Sequence, residues 1–508
     1  MIALLIAVPA FAGEFMDVWV TTALEDDNLN AGPADYSPAP NFVQRGNQTF
    51  FEKYESKYSD DISQSYLALY REDEGFLPNI FTEAAFVLRF QPYTDPDQSK
   101  SAVSIGDGGS YVRVGYKIGG ADRHVVSLTG YAVDADRFRL GYSYDLTWGG
   151  KDIFVMDPRS APGMRLQYQN GSFYAFAGLK SAIGDYKDPE TGDPQNQAYF
   201  GGLVGLGGEL GDHVRIEGGA GDFQQGQLSN VQNVDSPLYN AAIYAIGGCA
   251  QVAFRTNPDL EYISSNELKL YRNKPDQVRD TYIKHRELKG SGLLIQAEGN
   301  YLVHNLLDFD QVDATVIEPA FAGDVQSLFV TGTTEIGLDL VYKDLSYTVF
   351  NVPGLTSGYA ISDTLDTTPQ LYVRASAAHF FPKAHLTPSL GAGYMIPASF
   401  GTAADGYNVI YRGSTDSSTA AATGSTSSSN SSQVAVPTGQ APAALLSAVG
   451  GLQWDISKST VAVTELLYTL DNNQSIAVEG DDGASVDILA PAYVRNALGF
   501  NLMIRARF

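Results

Sequence analysis

The residues that build catalytic centres occur in this chain, but not in catalytic arrangements. Its six histidines, His124, His213, His285, His304, His379 and His385, are scattered, and none stands in H-E-x-x-H or another metal-ligand spacing. There is no G-x-S-x-G nucleophile elbow and no Walker loop. Gly205-Leu206-Gly207-Gly208 and Gly218-Gly219-Ala220-Gly221 are rich in glycine, but they lie inside strand patterns and precede no helix. Close strand packing explains them better than a phosphate cradle. Asp471-Asn472-Asn473 and Asp481-Asp482-Gly483 offer the oxygen ligands that Ca²⁺ prefers, yet both read as solvated loop tips. The expectation is no enzyme, no cofactor and no metal.

What remains is charge. Arg113, Lys117, Arg137, Arg139 and Arg165, with Arg89 and Lys180, fall on the polar faces of strand-like segments in the first half of the chain. Glu298, Glu335 and Asp339, with Glu217, Asp455 and Glu465, do so in the second half. Arg374, Arg505, Arg507 and Asp145 break that division. If those faces enclose one wet space, a basic wall looks across at an acidic wall, and rings of charge tune what passes. Pairing between neighbouring strands is the alternative, and the sequence leaves both open.

Strands must position these charges. In Leu498–Phe508, residues Leu498, Phe500, Leu502, Ile504, Ala506 and Phe508 share one face, while Gly499, Asn501, Met503, Arg505 and Arg507 share the other. This length crosses a bilayer as a tilted strand, which needs about 9–11 residues. The same alternation recurs around Phe86, Val114, Ile295, Leu390 and Leu452, and again from Phe138 to Trp148. Leu502, Ile504, Leu452 and Leu140 are expected to face lipid. No run approaches the roughly 18 apolar residues of a helical span. The longest candidate, Ala241–Phe254, is interrupted by Gly247, Gly248 and Gln251.

Connections alternate between tight and long. Asn170-Gly171 signals a type I′ hairpin. Gly211-Asp212, Lys343-Asp344, Pro382-Lys383 and Ser457-Lys458 are further tight turns, with Lys343-Asp344 joining Glu335–Tyr342 to a strand at Leu345–Phe350. Between them lie long polar loops at 184–197, 224–239, 352–369, 398–442 and 472–492. The 398–442 loop holds the low-complexity run Ser414–Ser432, which has too little apolar surface to fold. Two regions fit neither size. Residues 25–63 are read as a segment for the lumen or one mouth, and Arg255–Lys289 as an excursion at the short-turn end or as the holder of a strand such as Glu267–Tyr271. About nineteen strand candidates emerge; an even-numbered barrel of 18 is the preferred count, with 16 next.

A formal charge of −25 argues against nucleic-acid binding. The lone Cys249 permits no internal disulfide. Residues 1–12, with an apolar core at Ile2–Val8 and Ala10-Phe11-Ala12 as a cleavage pattern, read as a signal peptide. Residues 13–508 are then one all-β, antiparallel transmembrane barrel with long extracellular loops.

Repeated amphipathic strands, the short-turn and long-loop rhythm and a terminal Phe508 resemble a Gram-negative outer-membrane, porin-like β-barrel. Phe138–Gly150 and Glu267–Asp276 are similar to segments of uncharacterised myxobacterial barrels. The resemblance implies an outer-membrane location, contact with lipid, Phe508 as a signal to the barrel assembly machinery, and a homotrimer as a candidate assembly. It also implies a channel for passive diffusion of small hydrophilic solutes. A barrel anchoring an envelope complex or adhesin is the first alternative, and a barrel enzyme the second.

Overall fold

The computed structural model describes residues 17–26, 29, 62–95, 100–121, 123–135, 138–141, 143, 146–150, 160–187, 194–228, 236–239, 241–260, 262, 288–308, 311, 314–350, 360–361, 365–401, 407–411, 433–437, 443–473, 478–479, 485–486 and 496–508. Strand follows strand, and each pairs antiparallel with its neighbour. The first are β1 (Asp17–Asp26), β2 (Ile62–Glu74), β3 (Ile80–Asp95), β4 (Lys100–Asp107), β5 (Tyr111–Lys117), β6 (His124–Tyr131), β7 (Gly163–Asn170) and β8 (Phe173–Lys187). The middle of the chain supplies β9 (Pro194–Leu210), β10 (Val214–Gln227), β11 (Ala242–Arg255), β12 (Ser291–Leu307), β13 (Thr315–Thr331) and β14 (Thr334–Lys343). One short helix, α1 (Leu345–Phe350), follows; then come β15 (Asp366–Thr368), β16 (Gln370–His379), β17 (Leu386–Ile396), β18 (Ala398–Gly401), β19 (Tyr407–Tyr411) and β20 (Gln433–Pro437). The last are β21 (Leu445–Asp455), β22 (Thr460–Leu470), β23 (Val478–Glu479), β24 (Ser485–Val486) and β25 (Asn496–Arg507).

Nineteen of these strands form one sheet that closes on itself where β1 pairs with β25. Strands β4 and β5 occupy the upper and lower halves of a single stave, since β3 pairs with β4 through residues 88–95 and with β5 through residues 80–85. The wall therefore has 18 staves, the expected number. Closure leaves the wall without a first and last strand, the condition for a sheet to cross a bilayer.

The alternation that forms the strands also sorts their faces. On β5 the burial pattern alternates strictly, with Tyr111, Arg113 and Gly115 inside and Val112, Val114 and Tyr116 outside. The outside carries a continuous apolar belt, to which Leu166, Val204, Ile295, Leu338, Leu390 and Leu466 belong. Leu502, Ile504 and Leu452 lie on it as expected. Two aromatic girdles bound the belt. Tyr244, Tyr301, Phe321, Tyr342, Tyr394 and Tyr468 stand toward the long-loop rim; Tyr116, Phe173, Phe254, Phe329, Trp454 and Phe508 stand toward the short-turn rim. On β13 the two girdles are eight residues apart, from Phe321 to Phe329, or about 20 Å along the barrel axis for strands tilted near 40°. That height matches the apolar band of a membrane barrel.

The turns follow the expected rhythm, with corrections. The β7–β8 loop is Gly171-Ser172, because Asn170 still pairs with Phe173. Only Gly171 has positive φ, at 58°, so the turn is not type I′, which needs positive φ at both central residues. Lys343-Asp344 is no hairpin. Asp344 caps α1, its Oδ1 accepting the Tyr347 N–H at 2.6 Å, so Leu345–Phe350 is helix rather than strand. The 398–442 stretch contributes β18, β19 and β20 to a small sheet with β15 at the long-loop rim. Ser414–Ser432 lies outside the described residues, as do residues 1–16 and all but the ends of 25–63.

Candidate functional site in the lumen

The largest correction concerns Phe138–Trp148. It is not a stave. The described residues here, 138–141, 143 and 146–150, are buried inside the barrel. Leu140 and Trp148 exchange backbone hydrogen bonds, 2.8 Å from Leu140 N to Trp148 O and 3.1 Å in return. Phe138, Leu140, Leu146 and Trp148 press into the packed lumen, and Arg139, Ser143 and Thr147 of the opposite parity are buried there as well. Leu140 is 2 % exposed and faces the barrel interior rather than lipid.

Glycines in the wall seat this plug. A Cβ on Gly219 would lie 2.6 Å from Leu140 Cδ2, and one on Gly178 would lie 2.4 Å from the Phe138 ring. A side chain at either position would push the plug residue aside or strain the wall itself, since the added Cβ would also stand 2.9 Å from Val204 O at Gly219 and 2.3 Å from Met164 O at Gly178. Trp148 meets Phe223 edge to face at 5.9 Å, and Phe138 meets Phe176 likewise at 5.7 Å. Lys180 Nζ donates to the Gly149 carbonyl at 2.7 Å.

The plug tip is also bonded to β12, β13 and α1. Glu298 Oε2 accepts the Ser143 N–H at 2.7 Å and the Gln251 amide at 3.0 Å. Ser143 Oγ donates to Asp324, which directly faces Glu298 in the β12–β13 register. Beside them, the Leu146 carbonyl accepts from Asn300 Nδ2 and from the Tyr347 hydroxyl, each at 2.5 Å. Tyr347 is fully buried, and burial pushes its hydroxyl well above the usual tyrosine range, so it remains a donor.

The predicted lining residues divide into three groups. Arg113, Arg165, Glu298 and Asp339 point inward and are buried, whereas Lys117 is half-buried with its Nζ 5.8 Å over the Phe81 ring. Glu335 is half-buried on the same face of β14 as Asp339. Arg139 belongs to the plug, not to a strand, and is wholly buried. Arg137 lies outside the described residues. Among the buried residues, ion pairs cross between neighbouring strands from Arg113 Nη1 to Glu83 at 3.1 Å and from Arg374 Nε to Asp339 at 2.7 Å. Another joins Arg215 to Glu217 on one strand. Glu83 thus stands within the basic half and Arg374 within the acidic half. Sequence reasoning missed Asp324, Ser143 and Tyr347. Asp324 shares the inward parity of Ala320, Ala322 and Gln326 on β13, a pattern that Pro319 and Gly323 interrupt.

Apolar clusters lie above and below the plug. Leu228, Ile243, Leu306, Leu345 and Ala398 pack at the long-loop rim. Leu260, Tyr262 and Leu288 dock on Leu294, Leu328 and Val330 at the other rim, with the Tyr262 ring between Arg215 and Arg255 at 4.2 and 4.5 Å. This docking supports reading Arg255–Lys289 as an excursion at the short-turn end; Glu267–Tyr271 lies outside the described residues. Among those residues no group of three His, Cys, Asp or Glu is placed to hold a metal.

No protein-family model matches the chain, and no curated protein matches it in sequence. Solved outer-membrane barrels are similar to it in structure. The crystal structure of Acinetobacter baumannii OccAB1 aligns with a TM-score of 0.47 and 9% identity over 97% of this chain and 95% of that one. Pseudomonas aeruginosa OccK1 (OpdK) aligns at 0.45 and 6% over 97% and 98%. Wzi, an Escherichia coli outer-membrane protein described as a carbohydrate-binding β-barrel, aligns at 0.41 and 11% over 97% and 85%. The closed wall, belt and paired girdles make this chain a transmembrane β-barrel.

Proposed function

We propose that the barrel is a narrow, loop-constricted channel for passive diffusion of small hydrophilic solutes. The observation that carries this reading is the inward face of the wall. It is polar and charged across opposite sides, at Arg113, Arg165, Glu298 and Asp339, and a chain segment folds inside it where a constriction would form. A barrel with only a structural role could fill its interior with apolar side chains; this one holds arginines and carboxylates there at a desolvation cost. The long loops are placed outside the cell and the short turns in the periplasm, following the usual asymmetry of such barrels.

A second reading is a stoppered barrel whose loops anchor an envelope complex. It is favoured by the burial of inward side chains around the wall, including Tyr66, Leu445, Val461 and Met503, and by the apolar clusters at both rims. Planar-bilayer recording of the refolded protein separates the two. Discrete ion conductance supports the channel. A silent barrel that begins to conduct only when residues 136–159 are shortened supports the stopper.

A further inference from the structure

The plug is held by more than the wall. Its tip carbonyl, Leu146 O, sits in a closed ring of three hydrogen bonds. Asn300 Nδ2 on β12 donates to it at 2.5 Å, the Tyr347 hydroxyl on α1 donates to it at 2.5 Å, and Asn300 Nδ2 also donates to the Tyr347 oxygen at 3.1 Å. Removing either side chain breaks two of the three bonds. All the participating groups are buried, where a lost partner costs most.

Helix α1 is itself fastened at its base. Asp344 Oδ2 accepts the Phe321 N–H on β13 and its Oδ1 accepts the Tyr347 N–H, both at 2.6 Å, while Ser346 Oγ donates to Glu318 at 2.6 Å. Leu345 packs in the apolar cluster at the long-loop rim with Ala398 at the start of β18. Leu345 and Tyr347, both in the first turn of α1, therefore join the loop cluster to the plug tip.

We propose that α1 is a strut between the long-loop rim and the plug, and that Tyr347 and Asn300 are positioning residues whose joint clasp on Leu146 fixes the plug and so sets the width of the path beside it. This rests on the channel reading for its consequence in permeation, but not for the clasp itself. Neither residue needs to touch a solute. Opening the path requires the plug tip to leave both partners together, so α1 links the state of the long-loop rim to the lumen.

The chain carries its own reporter. Cys249 on β11 is the only thiol, points inward and lies against the backbones of Gly141 in the plug and Gly219 in the wall. Release of the plug uncovers it. The test is the rate at which N-ethylmaleimide modifies Cys249 in the refolded full-length barrel, measured by mass spectrometry beside conductance in planar bilayers. Tyr347→Phe and Asn300→Leu should each raise the labelling rate about 2- to 10-fold, the shift in opening equilibrium expected for one net hydrogen bond. They should also raise the conductance level or add transitions to a larger one. Tyr394→Phe, on the outer girdle, should change neither. Labelling at the parent's rate in both variants, with the protein folded, overturns the strut whatever the conductance. Faster labelling with no conductance in any variant upholds the strut and defeats the channel reading instead.

Discussion

Arg374 on β16 and Asp339 on β14 form a buried ion pair across one strand boundary, Nε to Oδ2 at 2.7 Å. They are direct cross-strand partners, so the pair is built into the register. Replacing Arg374 with Met takes the cation from a buried carboxylate and should cost about 3–5 kcal/mol. The double variant Arg374→Met/Asp339→Leu should recover most of that loss. Guanidinium unfolding in detergent, followed by tryptophan fluorescence, measures both. Equal destabilisation of single and double variants would show that the charges act separately. The pair carries no net charge, so the double variant should also keep the parent's ion selectivity.

Leu502 lies on the lipid-facing belt near mid-membrane, between Thr464 on β22 and Leu24 on β1. Leu502→Arg should destabilise the barrel by about 2–4 kcal/mol. The same substitution at Leu140, which faces the lumen, should disturb the plug rather than the wall. It should accelerate Cys249 labelling while heat-resistant barrel migration on gels persists. Loss of the folded barrel in both cases would return Leu140 to the wall.

Phe508 closes the barrel through its backbone: its N–H donates to Val18 O at 2.9 Å, and its carbonyl accepts the Val18 N–H at 3.2 Å. Deleting it removes both bonds, at about 0.5–1.5 kcal/mol each, and also one aromatic of the lower girdle. Phe508→Ala keeps the bonds and loses only the ring. If assembly reads the ring, both variants should fall from the outer-membrane fraction; if closure matters most, only the deletion should. Fractionation with immunoblotting decides.

Gly219→Val should drive Leu140 from its seat, because even a bare Cβ there would stand 2.6 Å from Leu140 Cδ2. Overpacking of this kind costs about 1–3 kcal/mol. The expected result is a folded barrel with faster Cys249 labelling. Restoring space with Leu140→Ala in the same chain should slow labelling again, and failure to do so would separate Gly219 from the plug.

The Tyr347 hydroxyl gives a pH signature. Burial raises its pKa above the ordinary tyrosine value near 10. The folded state then keeps a proton that the unfolded state gives up above that pH. Tyr347 therefore supports the fold fully below about pH 10 and costs stability as pH climbs past it. The stability advantage of the parent over Tyr347→Phe should be flat from pH 7 to 9 and shrink above about pH 10. A constant advantage through pH 11 would mean that Tyr347 is exposed enough to ionise normally.

Much of the wall was legible because one physical rule governs it. Lipid takes one face of each strand, so period-2 patterns at Leu498–Phe508, Leu445–Asp455 and Leu293–Val303 mark staves directly. The same rule misplaced Phe138–Trp148. Alternation distinguishes an apolar environment from a polar one, and a packed lumen offers both just as a bilayer and a wet pore do. Helix α1 escaped because six residues are too few for a 3.6-residue period, although Asp344 carried a cap signal. The charged residues were legible, but their partners were not. Arg113 with Glu83 and Arg374 with Asp339 depend on register, which is a property of two strands and cannot be read from either alone.

The seam between β1 and β25 carries a consequence for biosynthesis. Arg505 Nε donates to Thr21 Oγ1 at 3.0 Å across 484 positions of sequence, and no other strand of the wall can take the place of β25. Until the last dozen residues leave the ribosome and cross to the assembly site, any partial barrel has two exposed edges, each able to template aggregation. Local hairpins such as β7–β8 can form early, but the ladder that completes the wall is among the most distant pairings the chain contains, and distant pairings form slowly. The free edges of a partial wall must therefore be shielded until β1 and β25 are present together. A chain clipped before β25 would remain an open sheet rather than become a smaller barrel.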